Sequence, residues 1–207
     1  MDLFIYFAAY LLGSIPTALI IGRIFFKVDI RQHGSNNPGA TNTLRVLGKR
    51  AAIVVLLIDS GKGALAAALP ILLGTEHDPL AVGLIAVVGH CFPIFAGFRG
   101  GKAIATTAGV LIVANIWLFL IAYFAFVAVI YVTKYVYFGS LSVGVTLLIY
   151  ALFKPANEHD FIFLLFLILL IFLHRSNIKN HLSQNEPKIN DKRIKDDRLP
   201  PKNTKQA

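Results

Sequence analysis

The chain has 207 residues, 56% of them hydrophobic, with a mean hydropathy of +0.67 and a formal net charge of +9. That is too apolar for an ordinary soluble domain. A single cysteine, Cys91, excludes an intramolecular disulfide, and no Cys/His spacing resembles a zinc site.

Six apolar runs stand out in chain order: Leu3–Arg23, Ala51–Leu73, Leu80–Ala96, Ala103–Thr133, Tyr137–Phe153 and Phe161–Leu173. A membrane-crossing helix needs about 20 apolar residues. The first run lacks a basic start and a clear cleavage site, so it reads as a retained helix rather than a signal peptide. No repeat occurs at a solenoid period. Cys91 lies inside an apolar run and reads as a small buried residue, not a nucleophile.

The basic residues set the expected orientation. Lys27, Arg31, Arg45, Lys49 and Arg50 lie between the first two runs, with Arg23 at the edge. Arg99 and Lys102 follow the third run, and the tail from His174 carries nine Lys/Arg against four acids. "GTEHDPL", after the second run, is acidic. The positive-inside rule therefore puts the first loop, the Arg99 loop and the tail in the cytoplasm, and the N-terminus outside. N-out and C-in require an odd number of spans. Ala103–Thr133 would be about 46 Å long as one helix, and it holds a polar Asn115 near its middle. Splitting it there predicts an all-α integral membrane protein with seven transmembrane helices. The membrane domain is expected over residues 1–189. A basic polar cytoplasmic tail is expected over 190–207, disordered and without a fold of its own.

Four stretches carry chemistry. "HGSNNPGATN", His33–Asn42, is followed by Arg45. Gly34 and Gly39 permit backbone shapes that other residues resist, and Pro38 stiffens the turn. Backbone donors beside Ser35, Asn36, Asn37, Thr41 and Asn42 suit an anion. A turn-rich connecting loop is the plain alternative, and the density of donors speaks against it. "GHCFPIFAGFRGGKAIATT", Gly89–Thr107, ends a span, turns at Gly100 and Gly101, and is expected to begin a helix at Lys102. Helix N-termini bind anions, Lys102 adds a point charge, and Thr106 adds a hydroxyl one turn on. Ala96 and Ala103 stand where a Walker loop needs Gly and Ser/Thr, so ATP hydrolysis is not supported. A snorkelling interfacial lysine is the competing reading of Lys102.

"HRSNIKNHLSQNEPKI", His174–Ile189, leaves the last run. His174 and Asn177 are three apart and are expected to share a helix face. His174 reads equally as a base, a donor to an anion, or an interfacial histidine. "DSGKG", Asp59–Gly63, puts Asp59 and Lys62 at i, i+3 inside a span, where structural glue is the favoured reading.

These stretches resemble one family, the bacterial membrane glycerol-3-phosphate acyltransferases that use acyl phosphate. The family pattern Gly-Ser-Gly-Asn-x-Gly-Ala-Thr-Asn with a following arginine is matched by Gly34–Asn42 and Arg45. Gly-His-x-x-Pro and Gly-Gly-Lys-x-x-Ala-Thr are matched by "GHCFP" and "GGKAIAT". His-x-x-Asn-Ile with a later Glu-x-Lys is matched by His174, Asn177, Ile178, Glu186 and Lys188. "GSIPTALIIG" and "DSGKG" also look like the family, and the likeness runs from about Gly13 to Ile189. Asn36 departs from the family's second glycine. Asparagine tolerates positive φ better than most residues, so activity is expected to survive. Asn180 stands where a basic residue is common, and the serine-rich fifth loop is reduced to "YFGS" with Ser140 kept.

The resemblance implies seven spans, N-out and C-in, in a bacterial plasma membrane with the site facing the cytoplasm. It implies acyl transfer from acyl phosphate to the 1-hydroxyl of glycerol 3-phosphate, forming lysophosphatidic acid and phosphate. No cofactor, metal or nucleic acid is expected, and the oligomeric state stays open. On this reading Ser35, Lys102, His174 and Asn177 are the catalytic set. Gly34, Asn37, Gly100 and Gly101 help hold phosphate, and Arg45 takes the glycerol-3-phosphate phosphate. Gly39, Thr41, Asn42, Thr106, Ser140 and Glu186 complete the substrate-binding set. The rival from another class is a transporter of an organic phosphate, whose site belongs near mid-membrane with repeated halves. Here the motifs gather at one face and no repeat is seen.

Overall fold

A computed structural model describes residues 2–153 and 160–200. The loop around Asn157, expected outside the membrane, and the tail beyond Pro200 lie outside the described residues. Among the described residues all regular structure is helical: α1 (Asp2–Gly13), α2 (Thr17–Ile21), α3 (Ala40–Val46), α4 (Lys49–Leu73), α5 (Pro79–Cys91), α6 (Ile104–Ala114), α7 (Ile116–Thr133), α8 (Val136–Leu152), α9 (Asp160–Leu173), α10 (Arg175–Leu182) and α11 (Arg193–Asp196). A π-helical turn, Gly22–Phe26, extends α2, and short 3-10 turns cover Ile30–Gln32 and Ile94–Ala96.

Among the described residues four helical stretches are long and apolar enough to cross a bilayer: Leu3–Phe26, Lys49–Leu73, Pro79–Ala96 and Ile116–Thr133. Phe161–Leu173 and Arg175–Leu182 pass the same test together but are bent by 54°, and α6 and α8 are shorter apolar helices. The long run breaks at Asn115, as its polar side chain suggests. Asn115 leaves the helical region and its Oδ1 accepts from the Leu118 amide at 3.0 Å, capping α7. Asp78 caps α5 likewise, accepting from Leu80 and Ala81.

The chain forms two compact units, one running to Ala114 and resuming at Lys192, the other Asn115–Asp191. In the first, α4 packs on α6, α5, α1 and α3. Its pattern inverts that of a soluble helix. Ala52, Val55, Asp59, Lys62, Ala66 and Pro70 are buried, while Ile53, Leu56, Leu57 and Ile71 are exposed. Large apolar side chains face outward, where lipid tails solvate them, and small or polar ones face inward. Close helix approach depends on missing side chains. A Cβ at Gly109 would stand 1.8 Å from the Ser60 carbonyl oxygen, and one at Gly63 would stand 2.1 Å from that of Thr106. In the second unit α8 packs on both α7 and α9.

The tail differs from its expected disorder up to Pro200. α11 forms, Asp197 pairs with Arg45, the Leu199 amide donates to the Val46 carbonyl at 3.0 Å, and Leu199 packs on the Ile30–Val46–Val55 cluster. The composition is polar, but one leucine finds an apolar seat and one carboxylate a guanidinium.

The α4–α6 contact gives a direct check. Gly109→Ala should lower Tm in detergent, by the equivalent of about 1–3 kcal/mol for overpacking. Gly61→Ala, where nothing lies within 4 Å, should be neutral or stabilising, since alanine is the better helix former. Equal melting of the two variants would contradict this packing.

Candidate active site

The first polar loop is built from Asp29 onward. Its carboxylate accepts from the Arg31 amide (3.0 Å) and Arg31 Nη2 (2.7 Å), and from Arg23 Nη2 (3.1 Å). The hydrogen bonds from Arg31 hold the Asp29 carboxyl well below the usual carboxylate range, and Asp29 raises Arg31 in turn. Arg31 Nη1 then donates to the Ala96 carbonyl at 2.9 Å. That bond ties the Ser35–Arg45 loop to the segment leading into the Gly100–Lys102 turn. The motifs are 65 residues apart at this contact, yet they share one end of the first unit.

Gly34 has φ +59° and Asn36 φ +58°. The departure from the family's glycine therefore falls at a left-handed position, which asparagine accepts. Gly39 is extended at φ −125° and needs no glycine for its backbone. A Cβ there would stand 2.9 Å from Asn37 Nδ2, so a larger residue would shift the Asn37 side chain. Ser35, Asn36 and Thr41 are exposed. Asn42 is not an outward donor. It is buried, its Oδ1 accepts from the Ser35 amide (2.9 Å), and its Nδ2 donates to the carbonyls of His33 (3.0 Å) and Ile30 (3.3 Å). Its part is to hold the loop. Arg45 lies on α3 and pairs with Asp197.

The second motif differs from expectation in three ways. α6 begins at Ile104, two residues after Lys102, and the intervening Ala103 has φ +56°. The amides of Gly100 and Gly101 are not aimed at a ligand. They donate to the carbonyls of Cys91 and His90, each at 3.1 Å. The glycines serve close approach, since a Cβ would stand 2.0 Å from His90 O at Gly100 and 2.2 Å from His90 Nε2 at Gly101. Thr106 is fully buried against Gly63 of α4 rather than facing outward.

Behind this turn lies a buried polar cluster. Asp59 Oδ1 accepts from Thr17 Oγ1 (2.9 Å) and Lys62 Nζ (2.8 Å), and stands 3.7 Å from His90 Nδ1. Lys62 also donates to the Ile15 carbonyl at 2.8 Å. Cys91 is buried, as expected. Sequence reading singled out the Asp59–Lys62 pair, noted His90 only within the "GHCFP" match and Arg31 only as a loop charge, and gave Asp29 no part. "DIR" was a usable signal, because an aspartate two residues before an arginine can cap and pair with it at once.

In the second unit, His174 sits at the 54° bend, so His174 and Asn177 are not on one continuous helix. His174 is buried, with Nδ1 2.9 Å from the Leu170 carbonyl oxygen. A carbonyl only accepts, so Nδ1 is the donor in this contact. Asn177 Nδ2 donates to Glu186 Oε1 at 2.6 Å, which folds the following segment back on α10. Ser140 is buried and its hydroxyl donates to the Val136 carbonyl at 3.2 Å. Among the described residues no group of three or more His, Cys, Asp or Glu could hold a metal ion.

All regular structure among the described residues is helical, and several of the helices are apolar enough to cross a bilayer, which is the make-up of a multi-pass membrane protein. The family profile described as glycerol-3-phosphate acyltransferase matches residues 3–184. The glycerol-3-phosphate acyltransferase of Bacillus subtilis (strain 168) is 45% identical over 181 residues, covering 87% of this chain and 94% of that one. The protein of the same name from Geobacillus kaustophilus (strain HTA426) is 44% identical over 190 residues, covering 91% and 96%. The crystal structure of PlsY (YgiH), an integral membrane glycerol 3-phosphate acyltransferase, in its glycerol 3-phosphate form superposes with TM-score 0.83 at 31% identity, covering 90% and 94%. Its lysophosphatidic acid form gives 0.79 at 30%, with the same coverage. The chain belongs to the glycerol-3-phosphate acyltransferase family, and it is an integral membrane acyltransferase.

The loop geometry separates two asparagines that look alike in sequence. Asn36→Gly should keep acyltransferase activity within about twofold, since glycine suits positive φ at least as well. Asn42→Leu should lower it at least tenfold, because three hydrogen bonds of about 1 kcal/mol each disappear. Comparable activity in both variants would contradict the bracing role of Asn42.

Proposed function

We propose that the protein transfers a fatty acyl group from acyl phosphate to the 1-hydroxyl of sn-glycerol 3-phosphate, forming lysophosphatidic acid and inorganic phosphate. This is a first step of phospholipid synthesis. The observation that supports the reading is the Arg31–Ala96 bond, which links the segment just before the Ser35–Arg45 loop to the segment just before Lys102. Two cations and an exposed hydroxyl at a membrane edge suit two phosphates far better than they suit a hydrolytic attack.

Acyl phosphate is a mixed anhydride and arrives activated, so the enzyme's main task is placement. The acceptor oxygen attacks the acyl carbon, the bond from that carbon to the phosphate oxygen breaks, and the acceptor proton leaves with the departing phosphate. Lys102 and Ser35 hold the donor phosphate. Arg45, whose planar fork matches phosphate, holds glycerol 3-phosphate. That phosphate then takes the place of the Asp197 carboxylate on the guanidinium. Gly34, Asn37 and Thr41 shape and line the first loop. With their amides bonded to α5, Gly100 and Gly101 serve by shape, and the side-chain cations do more of the binding. The family resemblance assigns His174 and Asn177 to orienting the acceptor, and within the second unit Glu186 fixes Asn177. The acyl chain lies in the apolar groove of about 310 Å³ lined by Ile15, Pro16, Leu19, Ile20, Arg23 and Phe95. The seven apolar segments each cross the membrane of a bacterial cell, N-out and C-in, and the site faces the cytoplasm.

Purified protein without metal or nucleotide should convert palmitoyl phosphate and glycerol 3-phosphate into lysophosphatidic acid, with one phosphate released per product. Palmitoyl-coenzyme A should give negligible product, and efficient use of the thioester would refute the donor. Lys102→Ala and Ser35→Ala should each lose about ten- to a hundredfold in rate while remaining folded, the equivalent of a phosphate hydrogen bond of about 1.5–3 kcal/mol. Arg45→Lys should be poor despite its charge.

Topology is tested separately in a Cys91→Ala background. Asp78→Cys and Asn115→Cys should react with an impermeant reagent from outside. Gln32→Cys, Lys134→Cys and Gln184→Cys should react only from the cytoplasm. External labelling of Gln184→Cys would sink the seven-span arrangement.

A further inference from the structure

The Asp59 cluster does more than neutralise a charge pair. Lys62 is already satisfied by Asp59 and the Ile15 carbonyl, and Asp59 by Lys62 and Thr17. Glue alone would leave the His90 ring indifferent to both its neighbours. Instead the ring is wedged between Asp59 and the Gly100–Lys102 turn. Nδ1 points at Asp59 Oδ1 across 3.7 Å and has no hydrogen-bond partner, although the side chain is 94% buried. On the other side, Nε2 fills the space that a Cβ at Gly101 would take, and all three nearest atoms to that position belong to the ring. The main chain repeats the link, because the His90 and Cys91 carbonyls accept the amides of Gly101 and Gly100. Lys102 follows directly on this doubly fastened turn.

We propose that His90, backed by Asp59 at 3.7 Å, is the positioning residue for Lys102. It sets where the turn lies, and so where the ammonium meets the donor phosphate. A move of a few tenths of an ångström toward Asp59 would complete a hydrogen bond at Nδ1 and free space beside Gly101. The ring position and the turn position are thus one variable. The proposal rests on Lys102 belonging to the site.

Two sets of variants test it, with palmitoyl phosphate and glycerol 3-phosphate as substrates and melting recorded beside kinetics. Gly101→Ala should lower kcat at least tenfold in the wild-type background, because its methyl meets the ring. His90→Asn keeps a polar group toward Asp59 but removes the bulk beside Gly101. It should itself be slowed about tenfold at near-normal Tm, and adding Gly101→Ala to it should cost less than a further twofold. Asp59→Asn and Lys62→Met should each destabilise, and together should restore Tm by removing the whole charge pair. The double variant should still be at least fivefold slow, and adding His90→Asn should not slow it further. Losses that multiply in either combination, or wild-type kinetics in His90→Asn, would overturn the proposal. If the Asp59 variants do not fold, the His90–Gly101 pair decides it alone. Lys102→Ala is measured alongside. Wild-type turnover there would defeat the site assignment, whereas a slow Lys102→Ala with a normal His90→Asn would defeat only the role of His90.

Discussion

A carboxylate carried on a helix that crosses hydrocarbon has to find its partners inside the protein. Asp59 sits ten residues into α4 and is 1% exposed. Water cannot stabilise it there, so the first unit assembles around it: Thr17 from α2, Lys62 one turn along α4, and the His90 ring from α5. Removing one member of such a pair strands a buried charge, at a cost of about 3–5 kcal/mol. The helices that deliver these groups also lead into the candidate site. α2 leads into the first polar loop, and α5 ends in the carbonyls that fasten the Gly100–Lys102 turn.

The inverted pattern of α4 follows from the same solvent. With lipid outside, burying a leucine gains little over leaving it among acyl chains, so helix association relies on close contact and polar bonds. Gly63 and Gly109 let backbones meet where no Cβ fits. The tight approach of α4 and α6 is what buries Thr106, which the spacing from Lys102 had pointed toward the substrate. A hydroxyl one turn into a helix can face a ligand or a neighbouring helix, and the glycine opposite decides which.

What was legible in the sequence were properties local to a few residues. The break at Asn115 follows from one polar side chain in a 31-residue run, and the left-handed position at Asn36 follows from its place in a glycine motif. The identity of the polar motifs was legible too, but not how each polar atom is used. Asn42 and Thr41 are neighbours in the same motif, yet one is buried with its amide engaged three ways and the other is exposed. The amides of Gly100 and Gly101 look available until α5 is seen to end beside them. The Arg31–Ala96 bond and the Arg45–Asp197 pair join residues 65 and 152 positions apart, beyond the reach of any local pattern.

On the proposed reaction both substrates are anionic and repel each other, and a site for both would have to supply positive charge without letting it collapse onto the protein's own carboxylates. The first unit handles its arginines differently. Arg31 is committed to Asp29 by bidentate contact, with a pairing strong enough to keep that carboxylate ionised far below neutral pH. It serves as a fixed brace. Arg45 is paired through the tail, with both side chains partly open to solvent. Solvent-exposed ion pairs contribute about 0–1 kcal/mol, because solvent screens them and side chains must be ordered, and partial exposure moves this pair toward that range. A dianionic phosphate competes easily at that level, whereas it could not pull Arg31 away from Asp29 without undoing the loop. On the proposed function, the arginine assigned to substrate is therefore the one with the more exposed partner, and the arginine that shapes the loop is the one held bidentately.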